Sequence, residues 1–140
     1  MLNNAGFVHG GAVMRLCDET AEIVAIRHSG YRIVTAAMDR MVFTSPIYIG
    51  ELVTCLAQVN AAWNISMEAG LRIEAENPLT GEVRQTPRAC LTMVALDPAG
   101  APTPGLALIL SSEEDRRRNR EAGLRRANRL AKREQILKHR

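Results

Sequence analysis

The chain has 140 residues, 46% of them hydrophobic and only 4% aromatic, and carries a formal net charge of +3. That length suits one domain with an aliphatic core; no apolar run approaches the roughly 18 residues a bilayer-spanning helix needs, and no signal-peptide pattern precedes the first motif. The charge is divided, because residues 116–140 hold 11 Lys/Arg against Glu121 and Glu134, whereas residues 1–115 hold seven basic residues against 13 acidic ones.

Residues 1–9 read as a short loop of turn formers leading straight into a helix that starts at Gly10. Val13, Leu16, Cys17, Thr20, Ala21 and Val24 recur at helical spacing. Ala12, Met14, Ile23, Ala25 and Ile26 fill most of the remaining circumference, which predicts a buried helix. Asp18 falls between Met14, Ala21 and Ala25, where a carboxylate is expensive unless something pairs with it. Gly10 and Gly11 let a foreign group come close to the backbone N–H groups at the helix start. A buried helix with a bare N-terminus and an acid one or two turns in has the makings of a site. His28-Ser29-Gly30 closes it, with Gly30 as a left-handed cap.

The period then changes. Ile33 to Phe43 reads as a long strand, with Val34, Ala36, Met38 and Arg40 on one side and Ile33, Thr35, Ala37, Asp39 and Met41 on the other. Ser45-Pro46 breaks it, Gly50 turns the chain, and Glu51 to Trp63 is β-rich. Ile65 to Ala75 alternates Ile65, Met67, Ala69, Leu71 and Ile73 with Ser66, Glu68, Gly70, Arg72 and Glu74, the pattern of a half-buried strand. Asn77-Pro78-Leu79-Thr80-Gly81 marks a hairpin whose return strand runs from Val83 to Leu96. Strands joined by short turns predict an antiparallel sheet wrapped on the helix. Pro102 to Leu110 is a Pro/Gly-containing connector. Ser111 and Ser112 then supply a cap, and Glu113, Glu114 and Asp115 the acids of a first helical turn. The long polar helix that follows has a thin apolar stripe of Leu124, Ala127, Leu130 and Ala131. Cys17, Cys55 and Cys90, odd in number and set in apolar segments, read as free core thiols of a reducing, cytoplasmic compartment and not as a disulfide framework or a metal site.

In collinear order, Asn3-Asn4-Ala5-Gly6-Phe7-Val8-His9-Gly10-Gly11, Asp18-Glu19, Val34-Thr35-Ala36-Ala37-Met38-Asp39, Phe43-x-x-Pro46, Ile49-Gly50-Glu51, Ile65-Ser66-Met67-Glu68 and Val94-Ala95-Leu96-Asp97 cover nearly the whole chain. This ordered set resembles the acyl-CoA thioester hydrolases of the hotdog fold, whose opening reads Asn-x-x-Gly-x-x-His-Gly-Gly. The resemblance implies an α+β protein, an antiparallel sheet wrapped around a central buried helix, divided into a hotdog domain over residues 1–110 and a basic helix over 111–140. Members of the family normally carry a further strand upstream of the asparagine, and this sequence starts two residues before Asn3. The resemblance implies hydrolysis of acyl-CoA to a fatty acid and CoA with no metal and no cofactor, coenzyme A being part of the substrate. It implies a homodimer in which Asp and Asn meet across the subunit boundary, and a trimer of such dimers as a further assembly.

Thioester hydrolysis needs a polarised carbonyl and an activated water or nucleophile. Backbone N–H groups at Gly10 and Gly11 meet the first need; the plainer reading is that these glycines allow close helix–sheet packing. Asp18 meets the second, as general base toward water or as nucleophile giving an acyl-enzyme anhydride, and sequence does not choose between them. Its plainer reading is a surface carboxylate paired with Arg15. The role implied for Asn3 is to hold the water or the carbonyl through its amide. His9 stands near the thioester, or is a structural residue at a helix start. Cys17 beside Asp18 is a core thiol, since adjacent helical residues point about 100° apart. Thr35 and Ser66 match family positions and place a hydroxyl near the thioester or pantetheine, or are ordinary strand residues. Arg84 and Arg88 reach the phosphates of CoA, or line a solvated sheet edge.

A hotdog dehydratase is a rival reading, but its Gly-His-Phe-Pro loop is absent. A non-catalytic acyl-CoA-binding or regulatory protein is another, and such a sensor has no need of a carboxylate at the thioester. The basic tail reads first as a solvated helix packing on the oligomer, then as an attractor of CoA phosphates. Nucleic-acid binding ranks last, because charge alone gives only non-specific affinity and the tail holds no aromatic residue for stacking. No membrane partner is expected.

Overall fold

A computed structural model describes residues 2–39, 41–105 and 107–140, apart from the side chains of residues 86 and 87. Met1, Arg40 and Leu106, read above as parts of the N-terminal loop, the first strand and the connector, lie outside the described residues. The elements in chain order are α1 (Gly10–Ser29), β1 (Arg32–Met38), β2 (Leu52–Ala62), β3 (Ser66–Glu76), β4 (Val83–Leu96) and α2 (Glu113–Lys138). The strands form one antiparallel sheet in the order β1-β4-β3-β2. One face of the sheet packs on α1 and the opposite face receives α2, which is the hotdog arrangement with an added C-terminal helix.

Local chemistry explains the boundaries. Gly30 takes φ 74°, a left-handed conformation, and donates its N–H to Ile26 at 2.8 Å, closing α1. At the β3–β4 hairpin Asn77 Oδ1 accepts the Leu79 N–H at 2.9 Å, the local turn bond that asparagine makes well. Ser112 and Asp115 form a reciprocal capping box at the start of α2, and hydrogen bonds from Ser111 hold the Asp115 carboxyl down at about 2.

The core lies between α1 and the sheet. Val13, Cys17, Ala21, Ala25 and Ser29 form a buried stripe at every fourth position of the helix. They meet Met67, Ala69, Leu71, Ile73 and Ala75 of β3 and Ala89, Leu91, Met93 and Ala95 of β4. Small residues on the helix let it approach the sheet closely, and the larger side chains come from the strands.

Three expectations change. The helix is not buried all round: Met14, Ile23 and Ile26 are exposed, at 41%, 53% and 40%, because one sheet covers only one side of it. The first strand stops at Met38, and residues 41–50 fold back toward the N-terminal loop, where Ile47 C=O accepts the Val8 N–H at 3.0 Å. A register shift between Thr35 and Ala37 leaves Ala36 as a bulge. Beyond it the alternation inverts, so Met38 joins Ile33 and Thr35 on the α1 side and Asp39 turns toward α2.

The far face of the sheet also departs from a solvated polar surface. Glu68 is fully buried, held by Arg125 of α2 at 2.5 Å and by Asn60 Nδ2 at 3.1 Å. Arg129 reaches Asp39 at 3.2 Å, Asn119 donates to the Asn60 carbonyl, and Arg126 lies over the Trp63 ring. The inward side of α2 is therefore Ala122, Arg125 and Arg129. The Leu124, Ala127, Leu130 and Ala131 stripe stays exposed, Leu124 at 66%. Gly70 is part of the same construction, since a Cβ there would stand 2.4 Å from Asn60 Nδ2. Gly70→Ala is expected to cost about 1–3 kcal/mol, read from the urea unfolding midpoint.

Candidate active site

Asp18 lies in the middle of α1, half-buried, facing β1. Thr35 precedes the bulge on the α1 side of β1, and its hydroxyl donates to Asp18 Oδ1 at 2.5 Å while standing 3.6 Å from Met93 Sδ. One carboxylate oxygen is thereby fixed and the other left for a second partner. The alternative pairing of Asp18 with Arg15 does not occur: Arg15 Nε donates to Glu19 at 2.9 Å on the exposed side of the helix.

The helix start is less bare than its glycines suggest. His9 is the N-cap, and its Nδ1 accepts the Gly11 N–H at 3.1 Å. The Ala12 and Val13 N–H groups both turn to the His9 carbonyl. The Gly10 N–H is left without an acceptor among the described residues. The Phe43 ring lies against this point, 3.4 Å from where a Gly10 Cβ would be. His9 thus stands at the helix start as a cap, and Gly10, not Gly11, offers the open donor.

Asn3 is built into a closed loop. Its Oδ1 accepts the Ala5 and Phe7 N–H groups at 3.0 and 3.1 Å, and its own N–H donates to the Phe7 carbonyl at 2.8 Å. Phe7 in turn packs edge-on against Tyr48. With Oδ1 so occupied, the amide offers its Nδ2 hydrogens as donors. No hydrogen bond among the described residues joins Asn3 to Asp18.

Gly10 and Asp18 are eight positions apart on one helix, about 12 Å at the helical rise. A carbonyl held at the helix start is out of reach of the same protomer's Asp18. The structure brings together Asp18 with Thr35, and separately His9, Gly10 and Gly11. Ser66 and Arg88 belong to neither group. Both lie in the set of strand positions that faces away from α1, Ser66 with Glu68 and Arg88 opposite Arg72. Arg84 is engaged elsewhere, its guanidinium on Glu51 at 2.8 Å and on the Pro46 carbonyl at 3.1 Å.

All three cysteines are free. Cys17 turns into the core, where its hydrogen bond to Cys55 and its burial push its thiol up. The same bond, helped by Thr20, holds Cys55 below the ordinary thiol value, whereas burial raises Cys90 to about 11. A thiol with a lowered pKa gains thiolate as pH rises through that value. Alkylation of Cys55 by iodoacetamide is therefore expected to set in at lower pH than that of Cys90, as peptide mass spectrometry can read. Among the described residues no group of His, Cys, Asp and Glu is arranged to hold a metal, and no helix is long and apolar enough to cross a membrane.

A profile of the thioesterase superfamily matches residues 5–82, and the chain belongs to that family. The cytosolic acyl coenzyme A thioester hydrolase of Rattus norvegicus is 36% identical over 119 residues, 83% of this chain and 31% of the rat protein, so this chain spans about a third of that relative's length. A hexameric acyl-CoA thioesterase solved in the apo state superposes with TM-score 0.88 and 34% identity, over 93% of this chain and 83% of the other. The acyl-CoA hydrolase of Staphylococcus aureus, solved with butyryl coenzyme A, coenzyme A and coenzyme A disulfide, gives TM-score 0.88 and 28% identity over 98% and 84% of the two chains. That hydrolase has also been solved as three single variants, with alanine replacing in turn an asparagine, an aspartate and a threonine that are spaced fifteen and seventeen residues apart.

Proposed function

We propose that the protein hydrolyses acyl-CoA thioesters to the free fatty acid and CoA, with Asp18 as general base. The observation that carries this reading is the Asp18–Thr35 pair, a half-buried carboxylate with one oxygen pinned at 2.5 Å and the other available to a water. The spacing of the three residues altered in the staphylococcal hydrolase supports it, since Asn3, Asp18 and Thr35 are separated by the same intervals.

In this reading the attacking water gives its proton to Asp18 as it adds to the thioester carbon. The oxyanion that forms is met by the Gly10 N–H at a helix N-terminus, where the helix dipole also favours negative charge. Collapse of the tetrahedral species expels the CoA thiolate, which takes the proton back from Asp18. Asn3 Nδ2 donates to the water or the carbonyl. His9 orders the helix start as its cap, and Gly11 is occupied by that cap.

The 12 Å between Gly10 and Asp18 makes the site composite. Asp18 and Thr35 of one protomer act with Asn3 and the helix start of the partner subunit, so a homodimer carries two sites. The uncovered apolar face of α1 supports such pairing, and the hexameric neighbour supports a trimer of dimers. Three free thiols support a reducing, cytoplasmic setting. No cofactor enters this chemistry.

The experiment is thiol release from acetyl-, hexanoyl- and palmitoyl-CoA by mixtures of two inactive variants, Asp18→Asn and Asn3→Ala. Random re-pairing makes half of the dimers mixed, each with one intact site, so about a quarter of the normal rate returns. A mixture that stays inactive rejects the shared site. Absence of release from every thioester by the unaltered protein rejects the hydrolase.

A further inference from the structure

Arg84, at the start of β4, takes no part in the chemistry proposed above, yet several contacts converge on its guanidinium. Nη2 donates to both carboxylate oxygens of Glu51, at 2.8 and 2.9 Å, and to the Pro46 carbonyl at 3.1 Å. The guanidinium carbon lies 5.3 Å from the centre of the Tyr48 ring. Glu51 Oε1 also accepts the Tyr48 N–H at 2.7 Å. The Glu51 side chain is 10% exposed, so salt screens this pair less than one on the open surface. One side chain on a strand thus staples both ends of residues 46–51.

That segment has little else to hold it. Residues 41–50 lie outside the sheet, and Ile47 alone among them is buried. They nevertheless support the N-terminal loop. The Ile47 carbonyl accepts the Val8 N–H at 3.0 Å, which among the described residues is the hydrogen bond that ties residues 2–8 to the rest of the chain. The Phe7 ring stands edge-on to Tyr48, centres 5.3 Å apart. Phe7 in turn holds Asn3, through the asparagine's own N–H and through Oδ1. Contact therefore runs from Arg84 through Glu51 and Tyr48 to Phe7 and Asn3. Phe43, from the same segment, lies against Gly10. Both donors that the proposed reaction takes from the helix-start side of the site rest on the segment that Arg84 fastens.

We propose that Arg84 is a positioning residue for hydrolysis: through Glu51 and Tyr48 it fixes the loop that presents Asn3 Nδ2 to the thioester. The proposal rests on the hydrolase reading and on the site shared between protomers. A lysine offers a point charge where Arg84 has a planar fork that bonds and stacks at once, so it replaces only part of the staple.

The test is Arg84→Met, which keeps the apolar stem and removes the fork, with Arg84→Lys and Glu51→Gln beside it. For acyl-CoA hydrolysis kcat is expected to fall by about 10- to 10²-fold, the effect of displacing a reacting group by about 1 Å. KM should stay near normal, and Arg84→Lys should recover part of the loss. Glu51→Gln, which keeps an acceptor for the Tyr48 N–H, should show the same pattern with a smaller loss, and it carries the test if Arg84→Met does not fold. Mixing identifies the half of the site that is hurt. Arg84→Met mixed with Asp18→Asn should return about a quarter of the normal rate, because each mixed dimer then holds one intact Asp18 facing one intact loop. Mixed with Asn3→Ala it should gain nothing, a selectivity that a general loss of structure does not produce. Amide exchange over residues 2–8 should quicken in Arg84→Met while β3 and β4 stay protected. If Asp18→Asn and Asn3→Ala fail to restore each other, the shared site falls by itself, and amide exchange still decides whether Arg84 holds the loop. Undiminished kcat, rescue by Asn3→Ala in place of Asp18→Asn, or unchanged exchange of the loop overturns the proposal.

Discussion

Asp18→Asn is expected to lower the rate of acyl-CoA hydrolysis by about 10²- to 10⁴-fold, the usual contribution of a positioned general base. The asparagine keeps the shape of the side chain and an oxygen to accept the Thr35 hydroxyl, so the fold and the affinity for acyl-CoA should stay near normal. The useful readout is the split between the two: kcat falls and binding of acyl-CoA survives. Hydrolysis in oxygen-18 water separates the two roles left open by sequence. A general base places label only in the released acid during single turnover, whereas an acyl-enzyme anhydride attacked at its aspartyl carbonyl leaves label in the Asp18 carboxylate. Activity that persists in the variant would remove Asp18 from the mechanism while leaving the family assignment intact.

The second large effect is expected away from the chemistry. Arg125→Ala leaves the Glu68 side chain fully buried with no cationic partner, held by Asn60 and the Cys90 thiol. Breaking one side of a buried pair costs about 3–5 kcal/mol, and the partial exposure of Arg125 places the expectation near about 3 kcal/mol. In a chain of this size that lowers the melting temperature by roughly 10 °C. Adding Glu68→Gln to Arg125→Ala should recover part of the loss, because a neutral amide is cheaper to bury than a carboxylate. If Arg125→Ala melts like the unaltered protein, α2 is not anchored by this pair.

The two expectations differ in how far they are visible in the residues alone. Asp18 stands out because a carboxylate interrupts an otherwise apolar helix, and the signal is local. Thr35 is recognisable only through the ordered resemblance; its hydrogen bond to Asp18 spans the α1–β1 turn and depends on which side of the bulge it falls. The alternation in β3 identifies the core side correctly, from Met67 to Ala75. It misassigns Glu68, because the partner that buries it is 57 residues away and on another element. The same distance hides the inward face of α2: read by itself, a helix is expected to bury its leucines, and this one buries arginines. The cap at His9 escapes for a subtler reason, since histidine is a rare N-cap and the glycines after it draw attention to an open terminus.

The topology has a consequence for how the protein comes together and comes apart. β2, β3 and β4 follow one another through short connections, but β1 pairs only with β4, Arg32 opposite Leu96. The meander closes through local contacts, whereas joining β1 to β4 must close a long loop and is the slower event. The segment added last is the one carrying Asp18 and Thr35, and β1, an edge strand like β2 with a single sheet neighbour, is expected among the first elements to open in the native state. Injury to the β1–β4 seam would therefore leave a protein with most of its secondary structure intact and no working site: folded by spectroscopy, silent by assay.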